Sequence, residues 1–128
     1  MDDCRHPISD AGLGHLIETI GTRWAAELEP GESRVEIDTD ATTAGRPCTR
    51  IESKHTAHRP EFLFHIVRVA IDRELGLPVH FEAYDWPRQA GGPPELVEEY
   101  TFQNLRLNVG LTDRDFDANN TAYAFGRF

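Results

Sequence analysis

The segment at residues 67–87, VRVAIDRELGLPVHFEAYDWP, restricts the fold most, because two alternating apolar stretches flank one short turn. Alternation with a period of two is typical of β-strands. Gly76 can adopt the positive φ of a tight turn, and Pro78 closes it. We therefore predict a β-hairpin with Asp72 to Pro78 as its turn. Four side chains are predicted to share one buried face of this hairpin: Val67, Val69, Val79 and Phe81.

The first strand of this hairpin extends backwards into EFLFHIVRVAID, residues 61–72, which is apolar on both faces. Phe62, Phe64, Ile66 and Ala70 alternate with the residues that face the hairpin interior. A strand that is apolar on both faces is typical of the centre of a sheet covered twice. We expect the second face to lack a cover within this chain, which makes it an association liability.

An amphipathic helix is predicted near the start, at residues 8–28. Ser9 is a suitable N-cap, and Asp10 would lie in the first turn, where the helix dipole favours an acid. Pro30 and Gly31 would end the helix. Its apolar residues recur at steps of three and four and form one face: Leu13, Leu16, Ile17, Ile20 and Trp24.

Three further segments complete the predicted sheet. SRVEID and PCTRIESKH flank a turn at residues 42–46 and indicate a polar hairpin near an edge. In LVEEYTFQNLRLNVGL the apolar phase shifts between Phe102 and Leu105, which predicts a bulge or a strong bend within the strand. The end of the chain predicts a short helical turn, with Thr112 or Asp113 as N-cap and Phe116 in the core.

The predicted fold is α+β: a curved antiparallel meander of about five strands with one amphipathic N-terminal helix on its concave face. Residues 1–128 form one domain. The net charge of −9 argues against nucleic acid as a partner, because such proteins present a basic surface. No apolar run reaches the length of a membrane span. The start, MDDCRHPISD, lacks the apolar core of a signal peptide. Cys4 and Cys48 are predicted to be free thiols.

The histidines predict no metal site. The hairpin register places His65 and His80 on opposite faces, and no Cys or acid completes a tetrahedral set with His55 and His58 at a recognised spacing. Alternate aspartates at residues 113–117 imitate a calcium loop, but its Gly and its bidentate Glu are missing. We also predict no cofactor.

Catalytic motifs are missing as well: the chain contains no G-x-S-x-G, no P-loop and no dinucleotide fingerprint. We therefore predict a domain that is not an enzyme and has no catalytic residue. The alternative is a hydrolase that uses Glu82 or Asp85. Four aromatic residues around the last two strands suit either a core with a hairpin end or the rim of an apolar pocket: Tyr84, Trp86, Tyr100 and Phe102.

Three blocks resemble an uncharacterised bacterial family, a domain of unknown function that is distantly similar to the LolA/LolB-like lipoprotein carriers. The blocks are HPISDAGL, EFLFHIVRVAIDRELGLPVHFEAYDWP and LVEEYTFQNLRLNVGLTDRDFD, within residues 6–123. The resemblance implies a half-barrel that holds acyl chains between sheet and helices. Members of that family are about twice as long and exported. The resemblance therefore implies that this chain is the C-terminal half of such a domain, with a periplasmic or envelope location for its parent.

Together, the pattern and the resemblance predict a domain that binds an apolar or acyl-chain ligand between the helix and the curved sheet. The alternative is a structural or partner-binding module of the cell envelope. The compartment and the oligomeric state stay open. Seven residues are predicted to line the apolar ligand site: Leu16, Ile20, Trp24, Val67, Val69, Val79 and Phe81.

Overall fold

The structure, a computed structural model, describes residues 10, 12–28 and 31–123. Its elements, in chain order, are α1 (Leu13–Glu27), β1 (Ser33–Thr43), β2 (Arg46–His55), β3 (Ile66–Asp72), β4 (Pro78–Asp85) and β5 (Glu95–Thr101), followed by 3₁₀ turns at Asp113–Phe116 and Thr121–Tyr123. The strands form one open antiparallel sheet in the order β1-β2-β3-β4-β5. The predicted α+β fold with a five-stranded meander is therefore confirmed.

Two short turns connect the first four strands into hairpins. Ala44 and Gly45 join β1 to β2 with φ of 49° and 77°, and positive φ at both positions matches the twist of a two-residue hairpin loop. Gly76 adopts a φ of 67° in the turn between β3 and β4. In that turn the backbone N–H of Asp72 donates to Leu77 O at 2.9 Å. The predicted turn from Asp72 to Pro78 is confirmed.

The helix packs on the middle of the sheet. Leu16, Ile20 and Trp24 contact a cluster centred on the buried side chains of Val69 and Phe81, which confirms the predicted apolar stripe for these three residues. Ile17 is 43% exposed, so its predicted place on the packed face is wrong. The start of the helix differs from the prediction. The helix begins after Gly12, whose φ is 123°, so Asp10 precedes the helix instead of lying in its first turn. The predicted N-cap, Ser9, lies outside the described residues.

Val79 does not share the helix-side face with Phe81. It packs with Cys48 and Ala70 in a separate buried cluster. The pairing of β3 with β4 shifts register between Ala70 and Ile71, and such a bulge interrupts the alternation of side chains. The predicted position of Val79 is therefore wrong. Cys48 is a free, buried thiol, whereas Cys4 lies outside the described residues.

The second face of β3 is mixed and carries Arg68 beside Ile66 and Ala70, both of which are buried, so the prediction of an exposed apolar face is wrong. The strand begins at Ile66, later than the sequence pattern indicates. Phe62 turns to stack on His55, with ring centroids 3.7 Å apart, and Phe64 joins the helix-side cluster. Arg68 lies at the centre of the second face, where it pairs with acids on both neighbouring strands.

The chain beyond β5 is irregular up to residue 112. β5 ends at Thr101, so a bulge within the strand between Phe102 and Leu105 is wrong, and the register shift lies between Ala83 and Tyr84. The predicted alternative, a strong bend, occurs at Asn104, but after the strand instead of within it. Positive φ at Asn104, Asn108 and Gly110 interrupts an extended conformation there.

The 3₁₀ turn that follows has Thr112, one of the two predicted residues, as its N-cap. The Asp115 carboxylate accepts hydrogen bonds from the N–H and the hydroxyl of Thr112, at 2.7 and 2.9 Å. Phe116 is 76% exposed, so its predicted place in the core is wrong.

Asp72 is a carboxylate with no exposed surface at the end of β3. Arg46 donates to both of its oxygens, and the N–H groups of Glu74 and Leu75 donate to Oδ1 at 2.9 Å each. The hydrogen bond from Arg46, followed by those from the two backbone groups, holds the pKa of Asp72 well below its ordinary value of 3.8. The ionised carboxylate is thus part of the folded structure.

Asp72 should make the stability of the fold depend on acid. A pKa lowered by folding adds stability that is complete above the unfolded-state value and is lost as the pH falls through the folded-state value. Asp72→Asn should therefore unfold at lower urea concentration at neutral pH, and should lose less further stability between about pH 4 and pH 2 than the unchanged chain. Urea unfolding followed by circular dichroism measures both.

Asp38→Asn is the matched control, because Asp38 forms an exposed pair with Arg50 at 3.3 Å. That change should alter stability by less than about 0.5 kcal/mol. Equal acid sensitivity in Asp72→Asn and the unchanged chain would contradict the role of Asp72.

Candidate functional site

On the helix side of the sheet, a row of side chains in register crosses all five strands: Ile37, Ile51, Val69, Phe81 and Tyr100. The helix covers the centre of this row, where Val69 and Phe81 are buried. Towards β1 the cover ends, and Ile37 is 64% exposed. An apolar surface therefore continues from beneath the helix to the edge strand.

The helix is anchored at its C-terminal end. His55 Nε2 lies 3.2 Å from the Glu27 carboxylate, and His55 Nδ1 lies 2.7 Å from Ser33 Oγ. The Ser33 hydroxyl also donates to Glu27 O at 3.1 Å. At the other end, no side chain among the described residues caps Gly12.

No motif in the sequence marks Ser33 as a nucleophile, yet the fold brings it to a histidine and an acid. The sequence of contacts from Ser33 to His55 to Glu27 resembles a hydrolytic triad, but the hydrogen bonding of the serine differs from that of a nucleophile. A nucleophilic serine must give its proton to the histidine. Ser33 directs its hydroxyl to the Glu27 carbonyl oxygen, and His55 is buried beneath the ring of Phe62. The three side chains thus form a structural clamp between α1, β1 and β2.

The structure brings together six of the seven residues predicted to line an apolar site. They meet around one cluster, with Val79 elsewhere: Leu16, Ile20, Trp24, Val67, Val69 and Phe81. Trp24 Nε1 is buried without a hydrogen-bond partner among the described residues. The site therefore has an unused hydrogen-bond donor within an apolar surrounding. A buried donor without a partner destabilises the folded protein.

The opposite face of the sheet carries a polar network around Arg68. Its guanidinium donates to Glu52 Oε2 at 2.5 Å, to Tyr84 Oη at 3.0 Å and to Glu82 Oε2 at 3.3 Å. It also lies over the Tyr84 ring, 4.9 Å from the centroid. The hydrogen bond to Glu52 is the main cause that raises the pKa of Arg68. These contacts pair one cation with an acid on each of the two neighbouring strands.

Glu82 lies between Arg68 and His80. Burial would raise the pKa of its carboxyl, but hydrogen bonds from His80, Tyr84 and Arg68 outweigh burial and lower it. Its Oε2 accepts from Tyr84 Oη at 2.7 Å, and its Oε1 lies 3.0 Å from His80 Nε2. Burial and the neighbouring Glu82 raise the pKa of Tyr84.

His80 has two further neighbours on β5. Its Nδ1 is 2.8 Å from Thr101 Oγ1, and its Nε2 is 4.0 Å from Glu99 Oε1. One ligand atom from each of His80, Glu82 and Glu99 can be chosen so that all three lie within 4.8 Å of one another. This group of three was not predicted from the sequence, because Glu99 lies on another strand. The signal was a His and an acid two residues apart on one strand, since such side chains share a face.

Asp85, the other acid considered for a hydrolase, stands apart from this network. It is exposed at the end of β4, and its carboxylate accepts the N–H of Trp86 at 2.7 Å. The hydrolase alternative therefore has only Glu82 within a charged network, and it remains a prediction.

The four aromatic residues considered as a pocket rim are dispersed. Tyr84 belongs to the polar network, and Tyr100 lies against Phe81 with centroids 6.0 Å apart. Trp86 stacks between His58 and His65, with centroid distances of 4.5 and 4.1 Å. Burial is the main cause that lowers the pKa of His65.

Cavities border the sheet at two places within the part of the chain that the structure describes. One, of about 340 Å³, is lined in part by Arg50, Arg68, His80 and Glu82. The other, of about 300 Å³, is lined in part by Val79 and by Phe102, the fourth of these aromatic residues.

Comparison of the sequence with protein families decides the family. The model of the family described as "Protein of unknown function (DUF1571)" matches residues 1–125. The chain belongs to the DUF1571 family. This confirms the resemblance to an uncharacterised domain family, while the likeness to lipoprotein carriers remains a prediction. Neither the curated proteins nor the solved structures yielded a match. Among the described residues of this DUF1571 chain, no helix has the length and apolarity needed to cross a membrane.

The network around Arg68 should stabilise the fold more than an exposed ion pair does. Arg68→Ala leaves Glu52 and Glu82 without their shared cation, both partly buried. We expect it to lower the free energy of unfolding by about 1–2 kcal/mol, since remaining solvent contact screens these charges. Arg50→Ala, which breaks the exposed pair with Asp38, should cost less than about 0.5 kcal/mol. Urea unfolding compares the two variants, and equal losses would contradict the special role of Arg68.

Proposed function

We propose that this domain binds a ligand with an apolar or acyl chain on the helix side of its sheet. The ligand lies along the apolar strip, which we define as Val35, Ile37 and Ile51, and continues beneath α1. The observation that carries the proposal is the incomplete cover of the apolar row, since the helix buries Val69 and Phe81 but leaves Ile37 exposed. Exposed apolar surface that continues a buried apolar cluster is typical of a binding site.

The helix is suited to move over such a ligand. None of the fifteen residues of α1 is fully buried, and only its C-terminal end is clamped by His55. Gly14 and Gly21 each destabilise a helix by up to about 1 kcal/mol relative to alanine. A Cβ at either position would meet nothing within 4 Å, so close packing does not require these glycines. They weaken the helix without a packing reason.

The unpaired N–H of Trp24 favours a ligand that also carries an oxygen. A carbonyl or carboxylate oxygen that reaches Trp24 Nε1 would satisfy the buried donor. An acyl chain has such an oxygen at one end and apolar carbon along its length. The chemistry of the site therefore supports an acyl compound over a pure hydrocarbon.

Uptake of an apolar fluorescent probe, and its displacement by a long-chain fatty acid, tests the proposal. The unchanged chain should bind the probe, and Ile37→Asp should weaken binding at least about tenfold because it removes apolar contact area. Leu111→Asp is the matched control, since Leu111 is 63% exposed but lies beyond the sheet. Circular dichroism confirms that both variants fold. Native mass spectra that always show ligand-free protein, together with no probe uptake, would contradict the proposal.

A stiffer helix should also change binding. The double variant Gly14→Ala, Gly21→Ala should raise the free energy of unfolding by about 0.5–1 kcal/mol for each site. If the helix must shift to admit the ligand, the same variant should bind the probe more weakly or more slowly. Thermal unfolding and stopped-flow fluorescence measure the two effects. Higher stability with unchanged binding would contradict a moving helix.

The second candidate function is a structural or partner-binding module of the cell envelope. One observation favours it: beyond β5 the chain exposes three apolar side chains of the irregular segment and one of the following turn. These four are Leu107, Val109, Leu111 and Phe116. Size measurement over a range of concentrations separates the two candidates, because a monomer that persists at high concentration removes the support for self-association.

A further inference from the structure

Strands β4 and β5 place a His, two acids and a Thr on one small area of the polar face. His80 pairs directly with Thr101, and Glu82 pairs directly with Glu99. Residues two apart in a strand point to the same side, so the four side chains form a compact patch. Like charges directly opposite each other destabilise a sheet, and a bound cation between Glu82 and Glu99 would remove that repulsion.

The spacing of the donor atoms suits a single ion. His80 Nε2 lies 3.0 Å from Glu82 Oε1 and 4.0 Å from Glu99 Oε1, and the three ligand atoms lie within 4.8 Å of one another. Two donors bound to one zinc ion at about 2.0–2.2 Å each are about 3–4 Å apart. The side chain of Glu99 is 52% exposed, so a small rotation of this residue closes the remaining distance.

Neighbouring groups already orient two of the three donors. Thr101 Oγ1 engages His80 Nδ1 at 2.8 Å and so fixes the ring with Nε2 towards the acids. Tyr84 and Arg68 hold Oε2 of Glu82, which leaves Oε1 directed at His80. Groups that hold the far atoms of metal ligands in this way are typical of metal sites and strengthen binding.

We propose that His80, Glu82 and Glu99 bind a divalent transition metal ion of the zinc type. One imidazole nitrogen with two carboxylate oxygens is a donor set that Zn²⁺ accepts, whereas Ca²⁺ and Mg²⁺ prefer oxygen alone. Three protein ligands leave at least one coordination position open. His80 and Glu82 also line the cavity of about 340 Å³, which has room for water or a ligand at that position. The site lies on the face opposite α1 and is independent of the apolar strip.

Isothermal titration of metal-free protein with Zn²⁺ tests the proposal, with Co²⁺ absorption in the visible range as a second readout. The unchanged chain should bind one Zn²⁺ ion. Its Co²⁺ complex should show the visible absorption of an ion with a low coordination number. His80→Gln and Glu99→Gln should each weaken binding by at least about tenfold, and Thr101→Val by about tenfold through loss of the ring's hydrogen bond. Glu99→Gln changes an exposed side chain, so it keeps the test valid if His80→Gln fails to fold.

Two control variants separate this site from adventitious binding. Glu98→Gln removes an adjacent charge that lies opposite Ala83, and His15→Gln removes an exposed histidine of α1. Both should bind Zn²⁺ as the unchanged chain does. The proposal is overturned if the unchanged chain does not bind Zn²⁺, or if Glu99→Gln and His80→Gln bind it equally well. Loss of binding in His15→Gln alone would also overturn it, because it would place the ion on the helix.

Discussion

The buried carboxylate of Asp72 holds the two hairpins of the sheet together. It accepts from backbone N–H groups of the β3–β4 turn and from Arg46, which opens β2. Cys48, the other fully buried larger side chain, lies directly opposite it in the β2–β3 pairing. A charge in this position is stable only while all its partners stay in place. The register of the three central strands therefore depends on one ionised group.

With that register in place, the two faces of the sheet acquire different chemistry. Alternation puts Val69 and Phe81 under the helix and turns Arg68, His80 and Glu82 to the other side. One face therefore carries the apolar surface on which we propose that an acyl chain binds, and the other carries the charged network in which we propose a metal site. The two proposed sites share no side chain, so each can be tested by substitutions that leave the other intact.

Local signals explain what the sequence predicted correctly. The helix stripe, the turn from Asp72 to Pro78 and the alternation of the central strands depend on residues close together in the chain, and the structure confirms them. The position of Val79 was predicted wrongly, because the bulge at Ala70 and Ile71 follows from packing between strands and leaves no mark in the pattern.

The polar network around Arg68 and His80 could not be predicted either, because it too depends on the pairing of strands. Arg68 looked like a single interruption of an apolar strand, and only the partners on β2 and β4 reveal its role. Glu99 lies near His80 because of the register between β4 and β5, and the composition of the loop that joins these strands does not predict that register. Contacts between distant parts of the chain depend on register, and a shift of one residue moves every side chain to the opposite face.

Because the clamp at His55 holds the C-terminal end of α1, a tilt of the helix would have its pivot near Glu27. From Leu13 to Glu27 the axis is about 21 Å long, so a tilt of about 10° displaces Leu13 by about 4 Å and Trp24 by less than about 1 Å. A displacement of about 4 Å corresponds to one layer of carbon atoms in contact. Leu16, about 16.5 Å from the pivot, would move by about 3 Å, so the gap opens mainly at the Leu13 end while Trp24 stays near the pivot. If the proposed acyl ligand enters beneath α1, the entry is therefore wide at the Leu13 end and narrow at the Trp24 end.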